Sequence, residues 1–135
     1  MINNNQEKIN EKRLKYVTIQ LFATSGFILA LLISFSLAYN KKLSLENKEK
    51  IFSDEEAQNL AIFQNILVFI VALSFLYINY KQYEIAKEIH DNEEQDFFLQ
   101  IETSLFAIIS SIIGLFIVFK NYYKGSVTIP ESEIT

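Results

Sequence analysis

Charged positions along the chain gather into four blocks and leave three long apolar stretches between them, at residues 17–38, 60–78 and 99–119. Each is long enough to cross about 30 Å of hydrocarbon at about 1.5 Å per helical residue. The first two contain no charge, and the only acid in the third is Glu102. A soluble helical bundle would need a polar face on every helix. Instead "ILVFIVALSFLYI" (66–78) and "LFAIISSIIGLFIVF" (105–119) are apolar almost all round, as expected where lipid surrounds the helices. The pattern predicts an all-α fold, an integral membrane three-helix bundle with transmembrane helices over about 17–39, 59–80 and 98–119.

Outside the spans lie a polar, basic N-terminal leader (1–15) and a short polar C-terminal tail (125–135), which bracket a three-span domain at 16–124. The leader reads either as disordered or as a frayed helix with Glu7–Glu11 and Lys8–Lys12 stacked four apart. Its basic end suits anionic headgroups. Ser36-Leu37-Ala38 has the pattern of a cleavage site, but the apolar run before it exceeds the 7–15 residues usual for a signal peptide, so a retained span is expected. Ser53-Asp54-Glu55-Glu56 has the form of a capping box opening the second helix in water. "YKQYEIAKEIH" (80–90) lacks Gly and Pro, so this helix is expected to overrun the bilayer to about His90. The acidic stretch "DNEEQD" (91–96) then turns the chain into a helical hairpin with the third helix. Gly125 is positioned to end that helix, and Pro130 to stiffen the tail.

All seven tyrosines lie at segment ends, where an amphipathic ring is best placed between acyl chains and headgroups. Lys and Arg counts beside the spans tie at six on each side, with Lys8, Lys12, Arg13, Lys15, Lys81 and Lys87 against Lys41, Lys42, Lys48, Lys50, Lys120 and Lys124. Crowding of four basic residues against the first span tips the expectation to a cytoplasmic N terminus in the cell membrane. Abundant Asn, Lys and Ile are associated with AT-rich bacterial genomes.

Small residues recur at every fourth position of the first span: Gly26, Ala30, Ser34 and Ala38. They predict a helix-packing groove, because close backbone approach replaces the hydrophobic effect as the attraction between helices in lipid. The third span repeats the theme with Thr103, Ala107 and Ser111, and with Ser110 and Gly114. In the second span Gln58, Asn65, Ala72 and Asn79 fall seven apart, which defines a polar intramembrane stripe. Asn65 is expected to face another helix and bond across to it, because an unpaired carboxamide in hydrocarbon is costly. Glu102 enters as a candidate immersed acid, about 7–8 Å deep if the membrane begins at Phe97, or as an interfacial acid if it begins at Leu105.

Composition narrows the chemistry further. Without cysteine there is no disulfide, thiolate metal site or thiol nucleophile. A net charge of −4 and no long basic patch argue against nucleic acid. His90 with Asp91, Glu93 and Glu94 reads as a solvated turn rather than a metal site, and no Gly-rich phosphate loop or nucleophile elbow occurs. No catalytic residue or cofactor is therefore assigned. The expected role is non-enzymatic: an accessory, immunity-type or assembly subunit whose partners are the lipid bilayer and either a second copy or a larger membrane complex. The alternative is a small oligomeric pore; three-span phage holins are similar in size and span number, a likeness of architecture with no shared motif.

Overall fold

The computed structural model describes residues 4–90 and 92–123, and the expected roles of Gly125 and Pro130 lie outside them. The described chain folds into three helices, α1 (Asn4–Leu45), α2 (Asp54–Glu88) and α3 (Glu94–Tyr123). Each is long and apolar enough to cross a membrane, with mean hydropathies of 2.1, 2.3 and 2.2 over its most apolar stretch. The leader is helical from Asn4 and continuous with the first apolar stretch.

Local signals set the helix ends. Ser53 accepts from the Glu56 amide at 3.1 Å, and the Glu56 carboxylate accepts from the Ser53 amide at 2.9 Å, so the capping box forms in full. At the end of α1, Asn47 adopts a φ of 59°. The amide of Lys48 then reaches back to the Leu43 carbonyl, and that of Asn47 to Ser44, the paired bonds of a Schellman motif. His90 takes the same backbone role after α2, with a φ of 56° and its amide on the Lys87 carbonyl. The lone histidine thus closes a helix, in a left-handed conformation that β-branched residues would resist.

Helix α2 is central. It packs antiparallel against α1 on one side and α3 on the other, whereas α1 and α3 do not come within 8 Å of each other, Cα to Cα, among the described residues. The molecule is therefore an open row of helices with two seams. The largest fully buried side chain among the described residues lies toward one end: Ile78 is enclosed, with Tyr16 and Ile85 beside it and Ile9 and Ile19 packed on the cluster. The N-terminal leader supplies Ile9, so it belongs to the same helical end as the α2–α3 hairpin.

Elsewhere the helices cover little of themselves. Only 11%, 17% and 11% of the most apolar stretches of α1, α2 and α3 are buried, while Phe22, Phe35, Phe106 and Phe116 stand exposed. Each such side chain in water forgoes about 1.5–3 kcal/mol of burial. A surface of this kind is stable against lipid and self-adhesive in water.

Candidate functional site

On α1, the positions turned toward α2 are Tyr16, Ile19, Ala23, Gly26, Ala30, Ile33, Leu37 and Asn40, all buried or half-buried. Their steps alternate between three and four residues, the spacing of a left-handed helix pair. The every-fourth-residue series follows this seam only in part. Gly26 faces α2, where an added Cβ would stand 3.0 Å from Val71, and Ala30 is 1% exposed. Ser34 and Ala38 are exposed. The reason is geometric: steps of four drift by about 40° each, so three of them rotate the line about 120° off the contact. Ser34 is still reached from the side, since the Gln64 carboxamide donates to its hydroxyl at 2.8 Å and lies 3.5 Å from the Ala30 carbonyl.

The stripe on α2 turns to α3. Asn79 donates to the Ser104 hydroxyl at 2.8 Å and to the Gln100 carbonyl at 3.3 Å. Asn65 differs from expectation: its amide group donates back to the Ala61 carbonyl of its own helix at 2.8 Å. Its oxygen lies over Gly114, where an added Cβ would come within 2.6 Å. Contact across the seam is therefore made by proximity to a glycine, while the carboxamide nitrogen bonds within its own helix. The Gln58 Nε2 is buried without a partner among the described residues. On α3 the buried small residues are Ser104 and Ser111, one position after Thr103 and Ser110, which are exposed.

Glu102 is exposed. Because Asn79 bonds to both Gln100 and Ser104, Glu102 stands level with the end of the second apolar stretch, close in height to Tyr77 and Tyr80. Among the described residues no group of three His, Asp or Glu could hold a metal ion, and Asp91 lies outside them. An open depression beside the α2–α3 turn is lined by Tyr83, Asn92, Glu94, Gln95 and Phe98.

Two features were not singled out by sequence patterning. Asn40 is 6% exposed; its oxygen accepts from the amides of Ile51 and Phe52, both at 2.8 Å, and its amide donates to the Phe52 carbonyl at 3.3 Å. One side chain thus clasps the α1–α2 connector to α1. Its signal was present as a polar residue at a seam position, Ile19, Gly26, Ile33 and Asn40 being seven apart. The second feature is an aromatic and basic cluster at the opposite end of the apolar stretches. Tyr16 and Tyr77 meet edge to face at 6.0 Å, Lys15 lies 5.8 Å over the Tyr16 ring, and Lys81 lies 5.9 Å from Tyr77 and 6.0 Å from Tyr80. Burial and then the neighbouring Tyr77 push the Tyr16 phenol up, while the Glu84 carboxylate, 3.5 Å from the Lys81 ammonium, raises the Lys81 pKa. Both shifts leave the two groups in their ordinary states at neutral pH.

No family model, curated protein or solved structure matches the chain. Functional inference therefore rests on the geometry described above.

Proposed function

We propose that the chain is a multi-pass protein of the cell membrane with its N terminus in the cytoplasm, acting without catalysis as an accessory, immunity-type or assembly subunit through helix packing. The observation that carries this is how its polar groups are disposed. Gln64 and Ser104 in the apolar stretches, and Asn79 at the edge of the second, bond to neighbouring helices, while large apolar side chains cover the outside of the row. Groups held this way fix register and leave a lipid-compatible exterior. The open arrangement, with α1 and α3 apart, leaves both outer helices free along their far sides for a second copy or a larger membrane complex.

The second reading is an oligomeric pore of the holin-like kind. In a pore the Gln58, Asn65 and Asn79 stripe would line water between subunits. Its members turn instead to α3 or into buried surroundings, which favours the subunit reading.

Native mass spectrometry of the chain extracted in mild detergent tests the proposal, with every co-purifying chain identified. A defined homo-oligomer or a stoichiometric partner is expected; a monomer without partners opposes it. Dye-loaded vesicles separate the two readings, since tight vesicles support the subunit and oligomer-dependent leakage supports the pore. A chain that stays folded and monodisperse in buffer without amphiphile would sink both.

A further inference from the structure

We infer that the cluster formed by Lys15, Tyr16, Tyr77, Tyr80 and Lys81 is a binding site for the phosphate-bearing headgroup of an anionic phospholipid. The inference rests on the membrane reading and makes it more specific. Two helices contribute: α1 brings Lys15 and Tyr16, and α2 brings Tyr77, Tyr80 and Lys81. The Tyr16 and Tyr77 rings, 6.0 Å apart, are flanked by one ammonium group each, at 5.8 and 5.9 Å from the ring centroids. Sequence position puts all five at the edge of the apolar stretches, Tyr16 immediately before residue 17 and Lys81 three residues after residue 78.

That height suits a phosphodiester. A lysine stem lying along an aromatic face keeps its charge at headgroup level while its methylenes stay among acyl chains. Tyr77 and Tyr80 are exposed at the same level, and their hydroxyls are hydrogen-bond donors for phosphate oxygens, while buried Tyr16 backs the Tyr77 ring. Lys15 is exposed and Lys81 is 37% exposed, so both ammonium groups are accessible from outside the row. Glu84 competes for one of them, 3.5 Å from the Lys81 ammonium. An ammonium has three protons, so a phosphate oxygen is accepted beside the carboxylate, and removing the carboxylate should improve binding.

The opposite end of the row differs. There Lys42, Lys48 and Lys50 pair with Glu46 or Asp54 near the connector, and among the described residues the lysines set over tyrosine rings are Lys15 and Lys81. Lys42, Lys48 and Lys50 are engaged with carboxylates supplied by the connector and by the first residue of α2. Lys41 and Lys42, just past the far end of the first apolar stretch, serve as a control pair of equal charge.

The test uses the full chain in mild non-ionic detergent, titrated with phosphatidylglycerol and read as lipid adducts by native mass spectrometry. Phosphatidylcholine and inorganic phosphate form separate arms. Lys15→Gln with Lys81→Gln should weaken phosphatidylglycerol binding by about 25-fold, since each lysine near a membrane surface is worth about fivefold. Lys41→Gln with Lys42→Gln should leave it unchanged, and Glu84→Gln should tighten it. Equal binding by the Lys15 and Lys81 variant, or equal loss in the control pair, overturns the site. Displacement by inorganic phosphate at equal concentration overturns the lipid assignment, and phosphatidylcholine binding as tight as phosphatidylglycerol overturns the charge argument. If the double variant does not fold, Glu84→Gln carries the test alone, and unchanged affinity refutes the site. Detergent dependence is measured in parallel: a chain that needs detergent but ignores these lysines defeats the site and leaves the membrane reading standing.

Discussion

The two seams on α2 are built from neighbouring residue series and hold their partners differently. Toward α1 the series runs through Gln64, Val71, Ile78 and Ile85; one residue on, Asn65, Ala72, Asn79 and Ala86 belong to the α3 side. The α1 seam relies on backbone approach at Ala23, Gly26 and Ala30, with an aromatic and aliphatic cluster at one end and the Asn40 clasp at the other. The α3 seam relies on carboxamides over small residues, Asn79 on Ser104 and Asn65 over Gly114, with Tyr83 against Phe98 at 5.9 Å. Adjacent positions on a helix differ by about 100°. A single helix can therefore offer two chemically distinct faces, and partners on them are kept from touching each other.

This contrast can be broken at defined points. The largest effect is expected from Asn40→Leu, which strands two connector amides; about 2–3 kcal/mol of stability should be lost in a denaturing-detergent titration. A loss below about 0.5 kcal/mol would mean that water replaces the clasp. Ala30→Leu should follow at about 1–3 kcal/mol, because a 1% exposed alanine leaves no room for three more carbons. Crosslinking between introduced cysteines on α1 and α2 should fall, with α2–α3 crosslinking retained; a parallel fall in both would show that the seams are not independent.

Gly114→Ala places a methyl group against the Asn65 oxygen and should cost about 1 kcal/mol. Pairing it with Asn65→Ala should recover most of that loss, and purely additive costs would indicate that the two residues do not meet. The smallest effect belongs to Asn79→Leu, at about 0.6 kcal/mol, the mean for interhelical hydrogen bonds in membranes. Its combination with Ala30→Leu should be additive within about 0.5 kcal/mol, as for sites without shared partners.

Much of the local structure was legible in the residues. The capping box at Ser53 and Glu56, the overrun of α2 and the number of helices all follow from signals within a few residues of one another or from the length of an apolar run. The site was legible only in part. Asn79 pairs across a seam as a carboxamide at the edge of an apolar stretch should, whereas Asn65 donates within its own helix, Ala38 rotates out of the seam and Ser34 is reached only from the side by Gln64. The Asn40 clasp needed the connector to return along α1 before its three bonds had partners.

By itself the sequence determined that there are three helices, where the second of them starts, and that each is long and apolar enough for a bilayer. These properties are one-dimensional: they depend on composition along a run and on hydrogen bonds between near neighbours. Only the tertiary structure decided which face of each helix meets another, that α2 lies in the middle, and that Lys15 and Lys81 flank one tyrosine pair. A helix that is apolar all round carries no polar face to orient it, so its rotation is set by whichever neighbouring side chains interlock.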